Sequence, residues 1–454
     1  MDEGKARQQT GRELLALAWP GGLMLLLDNL YRANDLFWVK EIGRQAQSAI
    51  SVAGMVNILT FALYGSLGIA TLSLSARAHG AGRPERARTL LHFALMLTVA
   101  VGALVAVLGF GTMDALCRFL VPSAEGLDAV GLAQEREYLR DYMRPLFAGG
   151  AFLCLATVVE QSFLAAKDSR TPLYLQITAV ALNFVLNPML IFGLGPIPAM
   201  GTAGAGIATV ASRALIGLLG LWLLRRRLRS EIVDPDFSPA GTFWRIVRLG
   251  FPVLTAIAVY ALAYQIILHR SFAPFGEVGR AALGSGFVIE GLAFCMIWGL
   301  GMASGSLTAN ALGAGSRRQA EAVVRRATVY VLILTLPLTL LFLWAPAPMI
   351  RALTEDPAVQ REVVVYLRIL AWSQWAVGLQ AVFEESMIAA GYSAPVSATN
   401  MFWNLIRIPL AHWLAITQGH GLPGIWWAVN FSTYGKALTG ILLLRLGRWQ
   451  GTGL

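Results

Sequence analysis

Charge is scarce in this chain of 454 residues: only 14% are Asp, Glu, Lys or Arg, where soluble domains carry about 25%. Too few charged groups remain to cover the surface of a water-soluble globule, and that class is excluded. Cysteine is almost missing. Cys117, Cys154 and Cys295 lie far apart, and no two have the spacing of a metal knuckle or a disulfide framework. The histidines, His79, His92, His269, His412 and His420, form no HExxH or HxxxH cluster. Without a metal constellation or a paired nucleophile and base, the expectation is neither an enzyme nor a holder of a resident cofactor.

What is present is apolar, 56% of the sequence. Twelve apolar runs recur, at residues 14–38, 46–76, 87–110, 140–166, 172–193, 201–225, 247–270, 283–311, 326–346, 363–390, 396–417 and 422–446. A bilayer crossing needs about 20 such residues. Backbone groups in lipid must pair within their own segment, so the runs are helices. The first run follows a stretch carrying Asp2, Glu3, Lys5, Arg7 and Arg12, with no small-residue cleavage site after it. It reads as a retained helix, not a signal peptide.

With the N-terminus inside, the inner segments hold roughly twice as many Lys and Arg as the outer loops, which places both termini in the cytoplasm. The expected setting is the cell (inner) membrane, crossed many times. The formal charge of +10 is scattered over these short loops. Anionic lipid headgroups account for it, and no nucleic-acid partner is expected.

The chain repeats itself. Leu17-Ala-Trp-Pro20 is echoed by Leu249-Gly-Phe-Pro252, each a proline entering a run where its missing N–H is harmless. Gly68–Gly82 realigns with Gly301–Gly315, and each copy ends in Gly-Ala-Gly before an Arg-rich stretch (Arg83, Arg86, Arg88; Arg317, Arg318, Arg325, Arg326). Those glycines permit the positive φ of a tight turn. Glu160–Ala166 pairs with Glu384–Ala390, Asn183–Pro188 with Asn404–Pro409, and Gly206-Ile207-Ala208 with Gly424-Ile425-Trp426. Repeats of this kind in a membrane protein point to a transporter of two matching bundles. The reading is an all-α polytopic membrane protein, its twelve helices forming two six-helix bundles related by a pseudo-twofold axis along the membrane normal. Residues 1–225 form the first bundle, 226–243 a polar cytoplasmic linker and 244–454 the second.

At Asp35-LFWV, the two Gly-Ala-Gly turns, Asp168-Ser-Arg-Thr-Pro172, Asn183-xxx-Asn187-Pro188 and Gly204-AGIAT-Thr209, the sequence resembles the multidrug and toxic compound extrusion family. That family sits in a superfamily that also holds lipid-oligosaccharide flippases. The resemblance spans nearly the whole chain. It implies efflux of small organic compounds, often cationic, in exchange for protons or sodium. Two departures stand out. The family's first run usually reads Val-Asp-Thr-x-x-Val-Gly, where this chain has Asn34-Asp35-Leu36 and Val39-Lys40. Its fifth run usually reads Asn-x-x-x-Asp-Pro, where Asn187 replaces the acid. The coupling ion, proton or sodium, is therefore left open.

Among the ionisable groups within the runs, six acids and four bases stand out: Asp28, Asp35, Glu160, Glu290, Glu384 and Glu385, and Arg32, Arg213, Arg407 and Lys436. Groups of this kind in a membrane face a cavity, pair, or change protonation. Asp35 matches the acid the family uses for ion coupling, and the alternative for it is a structural ion pair. Asp28, Arg32 and Asp35 share one helix face at steps of four and seven, so Arg32 can pair with either acid. Asn183, Asn187 and Thr209 offer neutral oxygens beside Asp35 to a hard cation such as sodium, or simply brace neighbouring helices.

Glu290, Trp298 and Met296, with Asp35, are the candidates for touching substrate, weighed against pairing and packing. Glu160 and Glu384 read as braces of inner loops, Lys436 as needing an acidic neighbour such as Glu385, and Arg213 and Arg407 as structural. The expected partners are a small organic molecule and the bilayer, and the expected state is a monomer. The competing reading is a flippase for a lipid-linked or anionic substrate, for which Arg32, Arg213, Arg407 and Lys436 speak. A passive channel or a scaffold stands behind both.

Overall fold

Long apolar runs whose breakers fall between them become long helices. The computed structural model describes residues 3–121, 129–227 and 237–451. In chain order the helices are α1 (Glu3–Val39), α2 (Arg44–Gly80), α3 (Pro84–Leu120), α4 (Ala129–Ala148), α5 (Gly150–Ala165), α6 (Arg170–Phe192), α7 (Gly201–Arg227), α8 (Pro239–Arg270), α9 (Gly276–Gly313), α10 (Arg317–Trp344), α11 (Pro346–Arg351), α12 (Pro357–Ala371), α13 (Gln374–Ala389), α14 (Ser393–His412) and α15 (Leu422–Arg445). If α4 with α5 and α12 with α13 each count as one rod, and the short α11 is set aside, the described residues form twelve rods where the apolar runs anticipate them. Most overshoot their runs: α3 continues to Leu120 and α8 starts at Pro239. Of the expected linker 226–243, α7 takes up the first residues and α8 the last, and 228–236 lie outside the described residues.

By length and composition, eight of the described helices could cross a membrane, or nine if α4 and α5, bent by 55° at Gly149, count as one. The runs at 363–390, 396–417 and 422–446 fall short of that measure. The first is divided at Trp372–Ser373, and α14 and α15 bury Asn404, Arg407, Asn430, Ser432 and Lys436. The outer faces of the long helices are apolar, with Val99, Leu104 and Val107 of α3 exposed. Water is a poor solvent for such a face.

The helix ends have local causes. Asp356 caps α12 by accepting from Ala358 N at 2.8 Å, with Pro357 in the first turn. Ser316 caps α10 through Gln319 N at 3.3 Å. The Asp168-Ser-Arg-Thr motif starts α6: Asp168 accepts from Thr171 N at 3.0 Å and Thr171 Oγ1 at 2.7 Å.

Both repeat prolines, expected at helix entries, lie inside helices, because α1 and α8 begin well before them. An interior proline cannot donate to the carbonyl four residues earlier. For Pro252 that carbonyl is Arg248 O, and Ser393 Oγ donates to it at 3.3 Å.

The residues fall into two groups that pack internally. One comprises Met24–Ser75 and Arg83–Ile246; there α7 packs on α4, α5 and α6. The other comprises Met1–Leu23, Ala76–Gly82 and Val247–Leu454; there α9 packs on α10, α12 and α13, and α15 on α12, α13 and α14. Within the second group the two Gly-Ala-Gly turns do more than turn the chain. Gly82 and Gly315 take φ of +67° and +74°, but Gly80 and Gly313 are needed for close approach. A Cβ on Gly80 would overlap the Asn310 carbonyl, and one on Gly313 the Arg77 carbonyl. Arg77 and Asn310 occupy equivalent repeat positions, so the contact is reciprocal.

Gly313→Val therefore forces two backbones apart, an overpacking cost of about 1–3 kcal/mol or more. A clear drop in the thermal midpoint of detergent-solubilised protein is expected. Gly111→Ala, at a helical glycine with open space around it, should not lower it.

Candidate functional site

Four helices of the first group bring polar side chains to one buried point. α1 contributes Asn34 and Asp35, α4 Tyr142, α6 Asn183 and Asn187 one turn apart, and α7 Thr209. Asp35 is 3% exposed, and both α6 asparagines are fully buried. Asn187 Nδ2 donates to Asp35 Oδ1 at 2.8 Å, while Tyr142 Oη and Thr209 Oγ1 donate to Oδ2 at 3.1 and 3.2 Å. Asn34 Nδ2 donates to Asn183 Oδ1 at 2.8 Å. Among the described residues, no Lys or Arg forms an ion pair with Asp35.

This carboxylate is held by three neutral donors and by no positive charge. Around it, Asn34 Oδ1, Asn187 Oδ1 and Asn183 Nδ2 are buried without partners, and unpaired buried polar atoms are costly. The donor set is one carboxylate with amide and hydroxyl oxygens, all hard ligands suited to sodium. It is equally suited to a carboxyl group that gains and loses a proton. Among the described residues no group of three or more His, Cys, Asp or Glu side chains could hold a metal.

Of the residues singled out in the sequence, Asn187 and Thr209 bond directly to Asp35, while Asn183 reaches it through Asn34. Sequence reasoning missed Tyr142 and Asn34. Asn34 is the immediate neighbour of Asp35 and could have been found; Tyr142 carries no pattern. Tyr142→Phe removes a hydrogen bond to a charged acceptor, worth about 1.5–3 kcal/mol. A severalfold fall in transport together with a modest drop in the thermal midpoint is expected.

The pairing of Arg32 with Asp28 or Asp35 does not occur. Arg32 is exposed and makes no ion pair among the described residues. Arg213 of α7 takes its place: its Nη2 donates to Asp28 Oδ1, its Nη1 lies 3.9 Å from Glu160, and its guanidinium sits 4.5 Å from the Tyr31 ring centre. Gln176 also donates to Asp28 Oδ1, at 2.6 Å. Asp28, Glu160 and the buried Arg213 thus form a partly buried cluster within the helices, so Glu160 is not a brace of an inner loop.

In the second group, Tyr366 donates to Glu290 Oε2 at 2.5 Å. Trp298 Nε1 donates to Glu385 at 3.1 Å and stacks on Phe294 at 4.3 Å. Met296, two residues from Trp298 on α9, points elsewhere and is 48% exposed, so Glu290, Trp298 and Met296 do not share a face. Glu384, inside α13, accepts from Asn400 at 2.7 Å and Gln380 at 3.2 Å; it does not brace a loop either. Lys436 faces Glu384 across a small cavity, not Glu385.

Comparison with known proteins follows from this geometry. The family model described as MatE matches residues 20–189 and 252–413. A FAD transporter of Shewanella oneidensis is 25% identical over 404 residues, 88% of this chain and 86% of that one. The probable multidrug resistance protein NorM of Thermotoga maritima is 23% identical, over 97% of this chain and 93% of its own. Among solved structures, MATE in the bent conformation superposes with a TM-score of 0.87 at 23% identity, covering 98% of this chain and 97% of that one. A superfamily transporter of Pyrococcus furiosus, described by a reversed polarity of its binding pocket, gives 0.85 at 22% identity over 96% and 95% of the two chains.

Proposed function

The chain belongs to the MatE family of multi-pass membrane transporters, and from that membership we propose that it exports small organic molecules in exchange for protons or sodium, with Asp35 as the coupling group. The observation that carries this reading is the buried Asp35 carboxylate, which among the described residues is bonded to Asn187, Tyr142 and Thr209 and to no cation. Such a group gains free energy from a proton or a cation when one arrives. If binding favours one of two access states, occupancy at Asp35 biases which side is open. Asn34, Asn183 and Asn187 supply the remaining oxygens. Both termini lie in the cytoplasm in this scheme, the protein works as a monomer, and residues 1–225 and 244–454 form the two bundles joined by 226–243.

The test is uptake of a fluorescent dye by inverted membrane vesicles under separately imposed proton and sodium gradients. One gradient alone should drive accumulation. Accumulation under neither gradient would remove the coupled-exporter reading.

A second reading concerns substrate charge. One of the relatives is described as a FAD transporter, and FAD is an anion. Arg213 is neutralised by Asp28 and Glu160, but the buried cations of the second group, Arg407 and Lys436, are not neutralised in this way. Carriage of anionic compounds is therefore the alternative to the cationic substrates for which the family is best known.

A further inference from the structure

Buried cations need acceptors, and the two groups of residues meet that need differently. Arg213 in the first group spends its guanidinium on Asp28, Gln176 and Glu160. Arg407 of α14 is buried more deeply, at 3% exposure, yet only its Nε has an acceptor, Ser432 Oγ at 2.8 Å. Its two terminal nitrogens bond to nothing among the described residues. The Tyr264 ring lies beneath it, 5.3 Å from the guanidinium carbon.

Lys436 is 7% exposed, and its ammonium makes no hydrogen bond or ion pair among the described residues. It lines a small cavity with Gln380, Glu384 and Asn400. Ser432 and Lys436 are four residues apart on α15, so the ammonium stem leaves the helix one turn from the point that anchors Arg407. Glu290 and Glu384 lie close enough to act on Arg407 and Lys436 through space, but among the described residues neither forms an ion pair with them. Glu290 is bonded to Tyr366, and Glu384 to Asn400 and Gln380.

We infer that the open guanidinium fork of Arg407, supported by Lys436 and floored by Tyr264, is a recognition site for the carboxylate or phosphate group of a transported substrate. The edge formed by its two terminal nitrogens, left open while Nε holds Ser432, fits either group in bidentate fashion, which an ammonium cannot do. Ser432 fixes the fork's orientation by holding Nε. Lys436 adds a second positive charge one turn away, and an anion resting on Arg407 relieves the repulsion between the two cations. Glu290 and Glu384 keep the surroundings from being uniformly positive, so a monoanion suits the site better than a multiply charged one. The site rests on the transporter reading but not on ion coupling by Asp35.

The test is equilibrium binding to the full-length protein in detergent, without any gradient, so failure of the coupling scheme leaves it unaffected. The probes are 1-naphthyl phosphate, 1-naphthoate, neutral 1-naphthol and cationic 1-naphthylmethylamine, which share one ring system and differ in charge. Wild type should bind the two anions about tenfold or more tighter than 1-naphthol. Arg407→Gln should erase that preference while leaving 1-naphthol binding and the thermal midpoint in place. Arg407→Lys should restore part of it, since charge returns without the fork. Lys436→Met should weaken it severalfold; if Arg407→Gln does not fold, Arg407→Lys and Lys436→Met carry the test.

Equal binding of all four probes by wild type, a preference for the amine, or a preference for anions that survives in these variants would overturn the assignment. Repeating the titration in nanodiscs of phosphatidylcholine with and without phosphatidylglycerol separates the two sources of anion. No effect of phosphatidylglycerol is expected. Displacement of 1-naphthyl phosphate by that lipid would assign the site to a headgroup and overturn its assignment to substrate.

Discussion

Asp35→Asn should abolish gradient-driven accumulation of substrate while leaving the protein folded. The substitution keeps the shape of the side chain and removes its capacity to carry a proton or balance a cation. Accumulation should fall at least about tenfold, which corresponds to a loss of about 1.4 kcal/mol of coupling. Stability should move the other way or not at all, because the wild-type carboxylate is buried without a cation partner and removing an uncompensated charge relieves a cost. Dye uptake by inverted vesicles gives the first quantity and a thermal unfolding scan the second. A loss of both would mean that Asp35 is structural. Substrate exchange with no gradient imposed should persist, since it needs the access change but no coupled ion.

Arg213→Leu should have the largest effect on stability. Arg213 is 6% exposed and is the ion-pair partner of both Asp28 and Glu160. Its removal leaves two carboxylates without their partner; breaking a fully buried pair costs about 3–5 kcal/mol, and solvent reaching Asp28, whose side chain is 35% exposed, makes the cost here smaller. The expected result is a large drop in the thermal midpoint or a failure to accumulate in the membrane. Adding Asp28→Asn and Glu160→Gln to Arg213→Leu should recover most of the loss, because neutral groups bear burial better than unpaired charges. Additive damage in the triple variant would contradict the cluster as described.

The rods were legible because a bilayer-length apolar run has few alternatives to a helix. The repeat was legible too, and with it the turns at Gly82 and Gly315. What stayed hidden depends on partners distant in the chain. Tyr142 and Asp35 are 107 residues apart, and Arg213 and Asp28 are 185 apart. Arg32, four residues from Asp28, looked the natural partner, but local spacing says nothing about which helix reaches in from elsewhere. The bend at Gly149 was unreadable for a related reason: one glycine within an apolar run carries no sign of direction. Pro20 and Pro252 mislead because proline usually marks a helix start, whereas α1 and α8 begin well ahead of them. Within the site, Asn187 and Thr209 were found through a family resemblance, whereas Arg407 and Lys436 could be told apart from Arg213 only once their acceptors were known.

The coupling of substrate to ion at Asp35 is tested most directly by adding substrate dye to purified protein in weakly buffered detergent solution and following released protons with a pH indicator, then repeating the titration for sodium with a sodium-selective electrode. The account predicts release of one of the two ions, close to stoichiometric, by wild type and none by Asp35→Asn. Equal release by the two proteins, or none by wild type despite saturating binding, would contradict it.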